Sequence, residues 1–415
     1  MILYYILVFV SPRGEDNFWG QKVAGLTLVK YLGIVCILYA ASYLIRRSRV
    51  PKYFQTAQAQ WFLIFFLIAC VSYLFAGGGF SWQSSLFVVY TSFFIFFFVT
   101  LTVVDTLPRF RWVLIVGTGG IAFAALQMVR QWRWYGYSSL FRPNIGVGNP
   151  NDFAAMANLF VPLAFYWMLG NRPRRERLFF LCCLVLTLGG ITVSASRGGF
   201  LGLAVALLYV IWNSKRRFRN LALVGVILIP MTLAPISPVH RLLHPNTGDR
   251  ESTESRQASW MAGLRMIRAH PFLGVGVGNF KPLASAYGGG DLGGNEVAHN
   301  TYIEVAAEMG LPGLFAFLGI LYFSFQTLGS VRRQALRSGI ALLHEAALGM
   351  RAGLLGCSIA IFFSSLEYIK PFWLVIFLTM CMPRLVAYAQ RKQAKDPRET
   401  QLLGISQGVP VAEAE

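Results

Sequence analysis

Runs of about twenty apolar residues, almost free of charge, recur along the whole chain, and that is the length an α-helix needs to cross a bilayer. A backbone in hydrocarbon must satisfy its own hydrogen bonds, so a chain dominated by such runs folds as a bundle of spanning helices. Composition agrees: 55% of the 415 residues are hydrophobic and 13% are charged, about half the charged share of a soluble domain. A soluble enzyme and a disordered chain are both excluded. The first apolar run lacks a basic leader and a small-residue cleavage site, so it reads as a short spanning helix. Cys36, Cys70, Cys182, Cys183, Cys357 and Cys381 all fall inside apolar runs. Neither a disulfide framework nor a zinc site belongs there, and they read as packing residues.

Twelve apolar runs predict twelve spans, at about residues 1–12, 23–45, 60–77, 83–104, 112–129, 153–170, 178–196, 198–213, 220–238, 311–330, 346–366 and 371–389. The net charge of +19 would suit a nucleic-acid binder, but in a membrane chain Lys and Arg collect in cytoplasmic loops. Alternate gaps hold the basic clusters, among them Arg46, Arg47 and Arg49; Arg172, Arg174, Arg175 and Arg177; and Lys215, Arg216, Arg217 and Arg219. Twelve spans put all of these on one side, with both termini in the cytoplasm and no nucleic-acid partner. On this reading 1–390 is one transmembrane domain, 239–310 a large loop on the far side, and 391–415 a polar cytoplasmic tail.

The far side breaks the charge rule. Its large loop holds His240, His244, His270 and His299 with Arg241, Arg250, Arg256, Arg265, Arg268 and Lys281. Arg130, Arg133 and Arg142 lie in the 130–152 segment, and Arg197 in the tight turn between two runs. Arginines converging outside the membrane point to an anionic substrate, most simply phosphate or pyrophosphate. The bland alternative is pairing with lipid headgroups or with Asp249, Glu251, Glu254 and Asp291.

Four segments carry the candidate chemistry. In Arg142-Pro-Asn-Ile-Gly-Val-Gly-Asn-Pro-Asn-Asp-Phe153, the turn residues end at Asn149, Asn151 or Asp152, any of which can cap the next helix. These amides also suit sugar or phosphate hydrogen bonds. In Ser194-Ala-Ser-Arg-Gly-Gly-Phe200, Arg197 must be paired, hydrated or functional, and Gly198 and Gly199 permit close approach and a sharp reversal. Residues 255–271 read as an amphipathic helix stopped before Pro271, with Trp260, Leu264 and Ile267 in one stripe. Arg256 lies beside that stripe, and Arg265 about half a turn away. Gly274-Val-Gly-Val-Gly278 lacks a βαβ context and reads as a flexible turn. In the fourth segment Thr301 and Glu304 match a capping box, so a short helix begins just after His299 and ends near Gly310. A helix N-terminus disfavours an imidazolium, leaving His299 neutral and fit to take a proton from a hydroxyl.

No Asp-x-Asp pair, HExxH motif or Cys/His cluster supports a metal, and no Walker-type loop supports ATP. No cofactor is expected.

The segments SRGG at 196–199, SRQASWMAGLRMIRAHPFLGVGVGNF at 255–280, HNTYIEVAAEMGLPGLFAF at 299–317 and GNPNDFAAMANLFVPL at 148–163 resemble the bacterial O-antigen ligase and polymerase superfamily. The resemblance covers roughly residues 140–330. It implies an all-α C-type glycosyltransferase fold in the bacterial inner membrane. It also implies inverting, metal-independent transfer of a glycan from undecaprenyl pyrophosphate at the periplasmic face, with membrane lipids around the site. A ligase would use a sugar hydroxyl of lipid A-core in lipopolysaccharide synthesis; a polymerase or a protein O-oligosaccharyltransferase would use another acceptor. Family-like roles fall on Arg197, Arg256 and His299: His299 as general base, the arginines on the diphosphate. Arg142, Arg265, Arg268, Asn149, Asn151, Asn300 and Tyr302 are further candidate substrate contacts. A transporter of an anionic lipid would instead want charges near the bilayer midplane.

Overall fold

In the computed structural model the described residues are 1–13, 22–23, 26–47, 52–75, 85–136, 142–145, 149–214, 216–233, 247–288 and 297–395. His240, Arg241, His244, Asp291, Arg49, Lys215, the glycines at 146 and 148 and the tail from 396 onward lie outside them. So do the side chains of Arg47, Asp249, Arg250 and Glu251. The described chain is helical apart from a two-residue antiparallel ladder that pairs Lys22 with Thr27 and Val23 with Leu26. In order the helices are α1 Ile2–Val10, α2 Leu28–Arg47, α3 Ala57–Phe75, α4 Ser85–Val103, α5 Leu107–Tyr135, α6 Pro150–Ala157, α7 Val161–Leu169 and α8 Arg174–Ser194. They continue as α9 Arg197–Trp212, α10 Arg217–Leu233, α11 Thr247–Ala269, α12 Phe280–Gly288, α13 Thr301–Arg337, α14 Ala341–Ala360 and α15 Lys370–Lys395.

This is a polytopic membrane protein, with a helix in each of the twelve apolar runs. Among the described residues eight helical stretches are long and apolar enough to cross a membrane, and Phe87–Val103 and Arg197–Trp212 are shorter apolar helices. By length and composition these account for eight of the twelve expected spans, with four of the runs holding shorter or less apolar helices. The clearest shortfall is α1: nine residues rise only about 14 Å, roughly half the hydrocarbon core. It is instead packed into the bundle, with Tyr4, Val8 and Val10 buried and the Tyr4 hydroxyl donating to Thr100 Oγ1 at 2.9 Å. Helix α15 runs five residues past 390, to Lys395.

Helix α15 occupies the middle of the bundle: every residue from Pro371 to Met382 is buried, as expected of a helix apolar on all sides. Helices α9 and α14 cross at Gly202 and Gly356. A Cβ on either glycine would fall 2.3 or 2.5 Å from the other's carbonyl oxygen. Small residues thus allow backbone contact, the packing on which membrane helices depend when lipid is as apolar as leucine. The spans are less free of charge than the sequence reading held. Arg351 lies within α14 with its guanidinium 5.9 Å from the Tyr209 ring. Arg384 donates to the Leu101 carbonyl and to that of Val104, satisfying orphan acceptors at the end of α4.

Helix α13 is kinked at Gly310 (φ 69°, ψ −178°), two residues before Pro312. Proline has no N–H, and the reversed backbone turns away the Leu311 N–H, so two carbonyls of the preceding turn lose their helical donors. The Gly274–Gly278 segment supplies replacements. Val275 N–H donates to Ala307 O at 2.8 Å and Gly276 N–H to Glu308 O at 3.1 Å, while Leu311 N–H donates to Pro271 O at 2.8 Å. The expectation of a flexible turn is thereby corrected. Gly274, Gly276 and Gly278 have positive φ, and Val275 and Val277 are buried; the segment is pinned against the kink.

Candidate active site

The site forms where α6, the start of α9, helix α11 and the start of α13 meet the turn at 361–368. Asn149 begins α6. Its Oδ1 accepts the N–H groups of Asn151 at 2.8 Å and Asp152 at 3.2 Å, while Asp152 Oδ2 accepts the Asn149 N–H at 2.9 Å. This is a reciprocal capping box, and of the three candidate caps Asn149 is the one used. Asp152 Oδ1 accepts from Ser364 Oγ. Arg142 reaches back over this turn, donating to the Ser194 carbonyl and, at 3.3 Å, to Asn151 Oδ1.

The chain reverses between α8 and α9 at Ala195, with φ 50°, not at the glycines that sequence favoured. Gly198 and Gly199 serve packing instead, against Phe363 and the Ala154 Cβ. Ser196 caps α9 through the Gly199 N–H at 3.1 Å, which sets Arg197 in the first turn of the helix. Arg197 Nη2 donates to Thr253 Oγ1 of α11 at 3.4 Å. Between α9 and α11 lies a cleft of about 590 Å³ lined by Arg197, Gly198, Phe200, Leu201, Ala204, Thr253, Arg256, Gln257, Trp260 and Phe363. Two guanidiniums among the lining of an otherwise mainly apolar cleft suit a lipid with an anionic head.

Helix α11 turns a different face inward from the one its hydrophobic spacing suggested. Ser259, Ala262 and Met266 are fully buried, whereas Leu264 of the expected stripe is 50% exposed. Small residues decide this: a Cβ on Gly263 would lie 2.4 Å from Ile303, so the helix seats closely on α13 along its small face. Trp260 Nε1 donates to the Ala298 carbonyl at 3.0 Å, which fixes the residue just before His299.

His299 has φ 48°, a left-handed conformation costing a non-glycine residue on the order of 1 kcal/mol. Its neighbours hold it there. Thr301 N–H donates to Ser364 O at 3.0 Å, Thr301 Oγ1 to the same carbonyl at 2.9 Å, and Leu366 N–H to Thr301 Oγ1 at 2.9 Å. The cap of α13 is Asn300, whose Oδ1 accepts the N–H groups of Tyr302 and Ile303 at 3.0 and 3.1 Å. That corrects the expectation of a Thr301 cap, because the Thr301 hydroxyl is already bonded to the 364–366 segment. The resulting turn brings His299 Nδ1 to 3.3 Å from Asn149 Nδ2. Burial, and after it the positive charge of Arg256, push the imidazole down to about 4. A neutral ring was expected from the helix N-terminus; burial and the arginine are what produce it here.

Arg197, Arg256, His299, Asn149, Asn151 and Arg142 are thus gathered around one region. The remaining candidates point elsewhere or are taken up by structural bonds. Arg265 turns away and donates to the Tyr287 carbonyl at 2.7 Å, and Arg268 is exposed in the last turn of α11. Asn300 is fully buried as a cap, and the Tyr302 hydroxyl donates to the Ser358 carbonyl at 2.7 Å. Sequence reasoning missed Thr253, Gln257 and Phe363 in the cleft, and Ser364 and Ser365, whose hydroxyls donate to Asp152 and Glu304. The run Ser364-Ser365-Leu366-Glu367 after two phenylalanines was their signal, since polar side chains at the end of an apolar run need buried partners. Among the described residues no group of three or more His, Cys, Asp and Glu side chains could hold a metal ion.

No curated protein matches the chain. Residues 182–318, roughly a third of the sequence, match the family model described as O-antigen ligase. That stretch contains Arg197, Arg256, His299 and the Gly310 kink, and it supports the O-antigen ligase and polymerase superfamily.

Proposed function

We propose that the protein is a glycosyltransferase that moves a glycan from undecaprenyl pyrophosphate to a hydroxyl group at the outer face of the bacterial inner membrane. A sugar of lipid A-core is the acceptor we favour, which makes the protein an O-antigen ligase. The observation that carries this reading is the cleft itself, lined by Arg197 and Arg256, with a neutral histidine within reach of the Arg256 charge. In the proposed reaction the arginines hold the diphosphate and stabilise the charge it gains on leaving. His299 takes the proton of the acceptor hydroxyl, and attack opposite the leaving group inverts the anomeric centre. Two guanidiniums supply the positive charge a metal would bring, so the reaction is proposed to be metal-independent. Asn151 and Arg142, tied to each other at 3.3 Å, border the acceptor side.

The experiment is transfer by purified protein in liposomes, with undecaprenyl-pyrophosphate glycan, lipid A-core and EDTA, read on a gel. A heavier lipid A product that is lost in His299→Ala and Arg256→Ala establishes the ligase. Lengthened lipid-linked glycan without lipid A product makes it a polymerase. A folded wild-type protein that gives neither product overturns the reading in favour of transport.

A further inference from the structure

The side-chain amide of Asn149 is committed at one end. Its Oδ1 accepts two backbone N–H groups at the start of α6, at 2.8 and 3.2 Å, so Nδ2 is the end that meets His299. The amide cannot turn over, because Nδ2 in place of Oδ1 would set a donor against those two N–H groups. An amide nitrogen only donates. The ring nitrogen it faces, Nδ1 at 3.3 Å, is therefore the lone-pair nitrogen, and the proton of the neutral ring sits on Nε2. Histidine bases are commonly arranged the other way, with Nδ1–H held by a carboxylate or carbonyl and Nε2 left to act.

We propose that the basic atom of this site is His299 Nδ1, and that the acceptor hydroxyl is received between it and Asn149 Nδ2, replacing their direct contact. This rests on the glycosyl-transfer reading given above. A hydroxyl group both accepts and donates: its oxygen takes the amide N–H while its proton points at Nδ1. The direct contact is long for a hydrogen bond, so a hydroxyl that bonds both partners at ordinary length displaces little. The step balances without a further reactant. The hydroxyl proton passes to Nδ1, and the acceptor oxygen forms the new bond to the anomeric carbon. The bond from that carbon to the phosphate oxygen breaks, and its electron pair leaves on the diphosphate held by Arg197 and Arg256. The imidazolium then releases its Nδ1 proton to solvent, favoured by the nearby charge of Arg256.

Asn149→Asp and Asn149→Ser test this in the purified transfer assay. Aspartate and serine both cap helices, so the start of α6 is kept; an unchanged melting temperature checks that. A carboxylate facing Nδ1 draws the ring proton to that nitrogen and moves the lone pair to Nε2. The expected result for Asn149→Asp is a loss of about 100-fold in kcat/KM, with the acid limb of the pH profile moved upward. Arg256 and, through the cap, Asp152 are the other charged groups facing this pair. Asn149→Ser, which lacks the amide donor, is expected to raise the acceptor KM about tenfold without moving that limb. Activity in Asn149→Asp equal to or above wild type overturns the proposal, because a carboxylate on Nδ1 is what an Nε2 base would want. An unchanged acceptor KM in Asn149→Ser overturns it as well. Nitrogen-15 shifts of labelled histidine, with the His299 signal assigned by its loss in His299→Gln, read the tautomer directly. Nε2–H in wild type and Nδ1–H in Asn149→Asp support the assignment even if the glycan or acceptor chosen for the assay is wrong. Nδ1–H in wild type overturns it. Absence of transfer alone would count against the function, not against the tautomer.

Discussion

The end of the bundle that carries the candidate site is built from two regions on opposite principles. Where α6, the start of α13 and the 361–368 turn meet, buried polar groups knit three segments together: Ser364 to Asp152, Ser365 to Glu304, and Tyr368 to Glu308 at 2.5 Å. The α11–α12 pair is held by an apolar cluster of Ala262, Met266, Val275, Phe280 and Ala284, and it sends Arg265 and Arg268 outward. Arg256 is on α11 yet faces the first region. The lesson is that a cation's role here follows what its helix face meets, not the helix or loop that carries it. The strongest way to break that view is to compare arginines on one helix. Arg256→Ala, like Arg197→Ala, is expected to lower kcat by roughly 100- to 1,000-fold, the scale of losing a donor to a developing anion. Arg265→Ala and Arg268→Ala are expected to stay within about twofold. Equal losses from Arg256 and Arg265 in the liposome assay would erase the distinction.

The polar region makes its own prediction, smaller in size and read in stability. Asp152→Ala removes the acceptor for Ser364 Oγ and for the Asn149 N–H, leaving donors buried in a site where Asp152 is 5% exposed. An unsatisfied buried donor costs about 1–3 kcal/mol, so a drop of several degrees in the melting temperature in detergent is expected. Smaller again is Asn300→Ala. Loss of a helix cap costs about 1 kcal/mol. Because Asn300 is buried against its own helix, the acceptor and donor KM values are expected to hold while the melting temperature falls. A large KM effect without a stability change would return Asn300 to the substrate-binding set.

Much of this was legible from one sequence, and the pattern of misses has physical causes. Apolar runs located the helices because a continuous apolar run of that length satisfies its backbone in hydrocarbon only as a helix. They do not fix the number of spans, because a run such as Ile2–Val10 reads the same whether it crosses the membrane or wedges into the bundle. Arg197, Arg256 and His299 stood out because charge is costly beside a bilayer. Hydrophobic spacing misjudged α11, since Ala262 and Gly263 bury well by being small, not by being apolar and large. The Thr301 cap failed for a similar reason. A local motif cannot show that Ser364 and Leu366, more than sixty residues away, have claimed the threonine hydroxyl.

The last prediction is of an effect that should be nearly absent. The two regions differ most in how they treat a histidine: His270 is exposed on the α11 side, 3.1 Å from the Tyr287 hydroxyl, whereas His299 is held neutral by burial and Arg256 down to about 4. A group whose folded value is depressed favours the folded, unprotonated form. Stability from His299 is therefore present above the ordinary imidazole value and lost as pH falls from about 6.5 toward 4. Base strength follows the same sign. At pH 5.5 an ordinary imidazole would be only about a tenth unprotonated, so a base of that kind would lose most of its rate. With His299 as the base, kcat/KM should change by less than about twofold between pH 7.5 and 5.5 and fall only as pH nears 4. With the lipid-linked donor as the varied substrate that ratio reports the enzyme before donor binds, so a bound diphosphate, which would favour the imidazolium, does not blur it. A tenfold fall by pH 5.5 would mean that the ring meets water as freely as His270 does, and the contrast between the two regions would lose its chemical half.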